Sequence, residues 1–486
     1  MISVPVFGAI FMPVGLCIFL FRPRYLVALM LVSSVFAAAS VLDFSVGDSL
    51  FGVQPYYFTA LLLGIRGLPV LFKYRQLECG SAPGMRRIVG PLVGFWKWAT
   101  VSAFIFPVIF KGLQVINPRS VDGDVMAAFA ISGETSPLHL SLGNIGQVAY
   151  LTLSLVALLY VVASGRAGRG SGYSLGSLRV SIMIVSVVAV LQGVAAWRGW
   201  EFPYSFFSGN PAYSQAFAAQ FEGVPRVSST FTEASSAGGF LAAGALGLLA
   251  MRLRGGRGGL LEILLAVAGL ILTTATTGYA AFLVGGLLLL ICFAHGSLGK
   301  RLPQRVLRRG VYITLVVAGG VILLLTADPP LREAILASTV YKADTLSFFS
   351  RISVDLYSLK VLFKTYGLGA GLGSNRPSSL GAALLGNVGV VGTLLFILCV
   401  GRFFVQLLAA SRQKGGEPFA LLAWMMVGLL IAQGIALPDL SWPPFWAVLI
   451  ASAGMLVSRT SRTNEGRRLI ERGSVSGEVP ANSALA

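Results

Sequence analysis

The sequence predicts an all-α fold, a polytopic helical membrane protein crossing a bilayer about thirteen times with long outer loops. Three observations carry this. First, 55% of its 486 residues are hydrophobic and only 12% charged, with a mean hydropathy of +0.79. Soluble chains average about 25% charged residues. Second, apolar runs able to span a ~30 Å hydrocarbon core recur along the whole length. Backbone groups in lipid must be satisfied within their own segment, so these runs read as helices; the strand alternation of an outer-membrane barrel is not seen. Third, the basic residues sit in short clusters in alternate connections, as the positive-inside rule requires.

The expected spans are 4–21, 25–42, 51–72, 88–110, 144–164, 178–196, 233–251, 260–273, 278–294, 310–326, 381–401, 419–437 and 444–458. The first has no basic residue before it and no clear cleavage site, so it reads as a spanning helix rather than a signal peptide. The run from Leu260 to Ala294 is divided because Thr273 to Gly278 makes a polar break. One set of connections carries Arg22 and Arg24; Lys73, Arg75, Arg86 and Arg87; Arg166, Arg169 and Arg179; Arg252, Arg254 and Arg257; Lys300, Arg301, Arg305, Arg308 and Arg309; and Arg402, Arg412 and Lys414. The other set carries Asp43, Asp48, Asp122, Asp124, Asp328 and Asp439. The amino terminus is therefore expected outside and the carboxyl terminus inside. Residues 1–458 form the membrane domain, and 459–486 a basic, unstructured cytoplasmic tail. Joining 260–294 into one helix would put the tail arginines outside, which favours thirteen spans.

A net charge of +18 does not imply nucleic acid, because the bases are interleaved with apolar runs. Of the four cysteines, Cys17, Cys292 and Cys399 fall in apolar runs and Cys79 in a basic loop, so no disulfide framework is implied. No set of His, Cys, Asp or Glu has metal-ligand spacing, and no cofactor is expected.

The long connections 111–143, 197–232 and 327–380 all fall on the outer side, where loops can carry function. They hold Arg198, Arg226, Arg351 and Arg376. Arginine presents a rigid, permanently charged fork that matches phosphate oxygens. The alternative for each is pairing with a nearby acid or a lipid headgroup. Glu233 opens the seventh span. It reads either as a general base tuned by burial and a nearby arginine, or as a first-turn acid stabilised by the helix dipole. Asp355 lies four residues from Arg351, where helical spacing predicts a local pair. Gly367-Leu-Gly-Ala-Gly-Leu-Gly373 lacks the preceding strand and the lysine of a phosphate loop; it reads as a tight turn allowing close backbone approach. His139 is a surface residue of an outer loop, and the threonines of 273–277 bond their own helix backbone.

From Arg226 onward, over about residues 140–400 in all, the sequence resembles the O-antigen polymerase and O-antigen ligase superfamily of bacterial inner-membrane glycosyltransferases. Arg226-Val-Ser-Ser-Thr-Phe-Thr-Glu-Ala-Ser235 is similar to the arginine and Glu-Pro-Ser entry to a span. Thr273 to Tyr279 falls where many members carry Ser-Arg-Gly. Arg351 to Gly373 resembles the long outer loop, and Asn387-Val-Gly-Val-Val-Gly392 the Glu-x-Gly-x-x-Gly opening of the next span. Two departures stand out: Ser378-Ser379 replaces the His-Asn of ligases, and the Ser-Arg-Gly arginine is missing. Both point away from a ligase with a histidine base. The resemblance implies an inverting polysaccharide polymerase that joins undecaprenyl-pyrophosphate-linked oligosaccharide repeat units at the periplasmic face. Glu233, Arg226 and Arg351 would be its catalytic residues, and Arg376, Arg198, Tyr279, Gly371 and Gly373 its substrate contacts. It also implies membrane lipid, a chain-length regulator and a flippase as partners. An O-antigen ligase is the rival within the superfamily. A lipid-linked oligosaccharide flippase or other transporter is the rival from another class, but no internal repeat is evident and charge concentrates at helix ends and in loops.

Overall fold

The computed structural model describes residues 2–46, 49–77, 83–116, 133–164, 171–211, 220–221, 224–256, 259–295, 332–333, 336, 341 and 346–475. The expected span 310–326, the basic clusters at 166–169 and 300–309, Asp122, Asp124 and Asp328, Cys79 and the last residues from 476 lie outside them. Helices dominate: α1 (Val6–Phe21), α2 (Leu26–Ser33) after a 3-10 turn (Pro23–Tyr25), α3 (Pro55–Leu77), α4 (Pro83–Ile109), α5 (Leu142–Ser164), α6 (Ser171–Arg198) and α7 (Tyr204–Phe207). They continue with α8 (Ala234–Leu253), α9 (Leu260–Leu272), α10 (Thr276–Ala294), α11 (Leu346–Lys364), α12 (Leu380–Ala383), α13 (Gly389–Ser411), α14 (Glu417–Ala436) and α15 (Pro443–Val475). A π-turn, Leu384–Val388, joins α12 to α13. Seven helices among the described residues are long and apolar enough to cross a bilayer, so the architecture is that of a helical membrane protein.

Small pieces of strand decorate one end. β1 (Ile2–Ser3), β2 (Leu42–Val46) and β3 (Ser49–Val53) form an antiparallel sheet in that order. Two-residue pairs join β4 (Gln114–Val115) to β5 (Ser136–Pro137) and β6 (Gln220–Phe221) to β7 (Val224–Pro225).

Helix α8 is the axis, buried along nearly its whole length. Its small residues explain why. A Cβ on Gly239 would stand 2.8 Å from Ala432, one on Gly247 2.7 Å from the Leu421 carbonyl, and one on Gly278 2.7 Å from the Gly238 backbone. Apolar side chains gain little by leaving lipid, so spanning helices associate where small residues let backbones meet. These contacts fix direction: α14 runs antiparallel to α8, and α10 parallel to it. Helix α9 runs the other way, from Gly259 beside Leu248 to Gly269 beside Leu241. The chain therefore doubles back at Thr273–Ala275, as the polar break predicts, with Thr274 at φ +46°.

Two expectations need correction. The expected span 25–42 is helical only from Pro23 to Ser33, about 17 Å at most, too short to cross alone. Beyond it the backbone is irregular yet buried from Ser34 to Val41 apart from Phe36. Its polar groups are satisfied by protein: Thr230 donates to the Val35 carbonyl (2.6 Å), Gln54 to Ala37 (3.0 Å), and the Asn210 N–H to Ala38 (3.1 Å). Non-helical backbone at membrane depth is tolerated on that condition. Second, no unstructured tail begins at 459; α15 continues unbroken to Val475.

Candidate functional site

The hydroxyl-rich segment Ser228-Ser-Thr-Phe-Thr232 builds the entry to α8. Such side chains compete with helical backbone bonding and favour turns. Ser229 takes the left-handed conformation at φ +53°. Its N–H donates to Gln192 Oε1 (2.8 Å) and its hydroxyl to the Val185 carbonyl (2.8 Å), both on α6. The Ala38 N–H donates to the Thr230 carbonyl (3.3 Å). Phe231 is wholly buried, its ring 5.7 Å from Phe240 and 6.4 Å from Trp442. The segment is thus held by α6, the turn after α2 and the α14–α15 connection, and Arg226 and Glu233 flank it.

Arg226 is partly buried and outside the spanning helices. Burial pushes its guanidinium below the ordinary arginine value; Glu233 opposes that, the Arg351 charge adds to it, and Tyr279 opposes it. Four residues from three distant stretches of sequence therefore share one electrostatic field. Glu233 occupies the N-cap position of α8, but its carboxylate does not cap; it is exposed and accepts from the Ser235 hydroxyl at 2.8 Å. Its backbone carbonyl takes the N–H groups of Ser236 and Ala237. Tyr279, in the first turn of α10, donates its hydroxyl to the Ile271 carbonyl at 2.7 Å, clamping the α9–α10 turn. Arg351 lies on α11. The expected Arg351–Asp355 pair is replaced by another use of the acid: Asp355 Oδ1 accepts the N–H groups of Ser378 (2.7 Å) and Ser379 (3.2 Å). Ser378 also donates to the Arg351 carbonyl (3.3 Å), and Ser379 caps α12. A cavity of about 260 Å³, lined by Ile352, Asp355, Leu356, Leu359, Ser379 and Ala382, opens one residue along from Arg351.

The glycine turn locks this loop to the bundle. Gly367, Gly369, Gly371 and Gly373 all have φ between +83° and +103°, where only glycine is unstrained. A Cβ on Gly369 would lie 2.5 Å from the Asn387 carbonyl, on Gly371 2.7 Å from Ser102, and on Gly373 2.8 Å from Gly143. A side chain at Gly371 or Gly373 would thus meet protein backbone rather than open space. Arg198 is exposed at the end of α6, stacked 4.8 Å over the Trp197 ring, beside exposed Trp200. Aromatic and basic residues of this kind mark a membrane interface. Arg376 is exposed, its N–H bonded to the Ile116 carbonyl (3.1 Å), with its charge facing Asp439.

Sequence reasoning missed two features. One is an asparagine knot. Asn387 accepts from the N–H groups of Ser374 and Asn375 and donates to the Asn375 and Ala383 carbonyls. Asn144 donates to Leu372 and Ser374 at 2.7 Å each. Amides at the mouths of apolar segments were the available signal. The other is Asp439, in the connection Leu437-Pro-Asp-Leu-Ser-Trp442. Burial raises its carboxyl above the ordinary aspartate value, while Ser441 and Arg376 hold it down. Among the described residues no group of three His, Cys, Asp or Glu is placed to hold a metal.

The helix ends define one face. Contacts at Tyr57, Asn144, Gln147, Gln192, Glu233, Tyr279, Asn387 and Ser441 gather the starts of α3, α5, α8, α10, α13 and α15 with the ends of α6, α9 and α14. At the opposite end Arg179 makes a two-pronged pair with Glu262 (3.0 and 2.5 Å), and Arg254 and Arg459 donate to the last carbonyls of α13, Ser411 and Ala410. No known protein-family model and no curated protein matches the chain.

Proposed function

We propose that the protein is a membrane glycosyltransferase, a polysaccharide polymerase acting on oligosaccharides carried by a polyprenyl pyrophosphate. The observation that carries this reading is the shared field of Arg226, Arg351, Glu233 and Tyr279 at one end of the bundle. A half-buried guanidinium whose charge a second guanidinium disfavours is costly unless an anion joins the two. A pyrophosphate supplies that anion and is already a good leaving group. Neutralising its developing charge is then the main catalytic task, and neither nucleotide nor metal is required. An attacking sugar hydroxyl needs orientation and a proton acceptor. Glu233 stands beside the arginines and favours the charged form of Arg226.

The same reading places the protein in the bacterial inner membrane, with thirteen spans, the loops 111–143, 197–232 and 327–380 periplasmic, the amino terminus outside and the carboxyl terminus inside. The lack of a histidine at Ser378-Ser379 favours a polymerase over a ligase. The deciding experiment analyses lipid-linked glycans in a deletion strain of the native host and the products of the purified protein. Single repeat units left on lipid, and longer lipid-linked chains made in vitro, support the polymerase. Full-length polymer detached from its final acceptor identifies a ligase, and repeat units trapped on the cytoplasmic leaflet identify a flippase.

A further inference from the structure

The connection between α14 and α15 is unusual chemistry for a turn between two apolar helices. Leu437-Pro-Asp-Leu-Ser-Trp-Pro-Pro444 places one carboxylate between prolines that cannot donate backbone hydrogen bonds. Asp439 is only partly exposed. One of its oxygens is tied down: Oδ1 accepts the Ser441 N–H (2.9 Å) and the Ser441 hydroxyl (2.6 Å). Ser441 is itself held, its carbonyl accepting the Tyr57 hydroxyl at 2.6 Å and its side chain 3.1 Å from Gln147 Oε1. Oδ2 takes no hydrogen bond among the described residues.

A second observation points to a missing donor. Gln433, in the last turn of α14, donates its amide to the Asp439 carbonyl at 3.0 Å. It is 1% exposed, yet its Oε1 has no hydrogen-bond partner among the described residues. Buried acceptors are nearly always satisfied, and an orphan beside a half-occupied carboxylate suits a hydroxyl-bearing ligand. The connection also touches the arginine pair's support. Trp442, whose N–H donates to the Asp439 carbonyl (3.3 Å), packs on Phe231, in the segment that joins Arg226 to Glu233. Arg376, from the loop that follows Arg351, faces Asp439.

We propose that Asp439 is the carboxylate that receives the proton of the attacking sugar hydroxyl, with Ser441 holding Oδ1 and leaving Oδ2 for the acceptor. This rests on the polymerase reading. The acceptor oxygen forms its bond to the anomeric carbon as the bond from that carbon to phosphate breaks. The electron pair leaves with the polyprenyl pyrophosphate between Arg226 and Arg351, and the hydroxyl proton passes to Oδ2. Burial directs the carboxyl toward the neutral range in which a general base works best. Arg376 is the charged group that faces it, and Tyr57, bonded to the Ser441 carbonyl, is the titratable group behind Ser441.

The test uses the full chain in nanodiscs with a lipid-linked repeat unit as donor and acceptor. Asp439→Asn keeps the shape and the bonds from Ser441 but cannot take a proton. It should lower turnover about 100-fold or more, with donor binding unchanged. Wild-type turnover should fall as pH drops through the Asp439 pKa, because the base must be ionised, and Asp439→Glu should shift that acid limb. Asp439→Asn turnover within about threefold of wild type overturns the proposal. If that variant fails to insert, Asp439→Glu decides: an acid limb left in place overturns it. Donor binding by Arg226→Lys tests the pyrophosphate clamp separately, so a weakened clamp variant beside a fully active Asp439→Asn sinks only the role of Asp439.

Discussion

At the scale of single residues, the proposed chemistry depends on fork geometry as well as charge. Lysine keeps the charge of arginine but loses its bidentate donors. Arg226→Lys and Arg351→Lys are each expected to reduce polymerisation about 100-fold, the usual consequence of losing one donor aimed at developing charge, while the protein still inserts. Normal polymer in cells from both variants would remove the clamp. Arg376→Lys should have a smaller effect, since Arg376 is exposed and lysine keeps the charge that faces Asp439. Glu233→Gln separates two roles. Its carboxylate is exposed and bonded to Ser235 rather than to the helix N-terminus. Loss of turnover at normal expression assigns it to the reaction, whereas near-normal turnover leaves it as the acid that stabilises charged Arg226. Because arginines do the neutralising, chelating divalent ions should leave polymerisation unchanged, and specific restoration by one metal would contradict this. Glu233 was legible in the sequence because charge at the edge of an apolar run is costly and therefore conspicuous, Arg226 and Arg351 because they stand as charged forks in long outer connections, and Tyr279 only through the family resemblance. Asp439 was not, since an acid in a short connection reads as an ordinary turn residue until its partners are seen.

At the scale of elements, the glycine turn was legible as a turn but not as to what it approaches. Periodic sequence reports local conformation; the carbonyls of Asn387, Ser102 and Gly143 that fill the space beside Gly369, Gly371 and Gly373 come from elsewhere in the chain. This gives a paired test. Gly369 and Gly367 share φ +83°, but a Cβ on Gly369 meets backbone at 2.5 Å, while one on Gly367 meets only Val390 at 3.7 Å. Gly367→Ala should cost about 1 kcal/mol from left-handed strain alone, and Gly369→Ala on the order of 3 kcal/mol, from strain plus overpacking. Thermal unfolding in detergent should rank the two; equal midpoints would mean the turn does not press on the α12–α13 junction. The second expected span failed for a related reason. Hydropathy reports that the run through Val41 is largely apolar, but not that Thr230, Gln54 and Asn210 bond its backbone and so relieve it of the need to be helical.

At the scale of the whole molecule, helix direction and charge separate the two ends of the bundle by independent routes. The contacts of α8 with α9, α10 and α14 fix which helix ends lie together, and they place Glu233, Tyr279 and Asp439 at one end and Arg179, Arg254 and Arg459 at the other. Sequence charge assigns those same arginines to a single side of the membrane, because basic connections are retained in the cytoplasm. The irregular segment after α2 lies at the Glu233 end through its bonds to Thr230, so the first helices meet the same face as the arginine pair. Arg459, halfway along the last helix, then sits opposite the site, and α15 carries the chain onward to Val475 on that side. Reporter fusions near residues 80, 170, 255, 303, 412 and 465 should therefore score cytoplasmic, and fusions within 340–375 should score on the far side. Two junctions carry the most weight. A junction near 255, just after Arg254, and one near 235, at the start of α8, are separated by a single helix of 20 residues, about 30 Å long, and must give opposite signals if α8 crosses the membrane. A cytoplasmic signal from 340–375 would put Arg351 on the side where the basic loops lie, and no lipid-linked donor presented in the outer leaflet could then reach it.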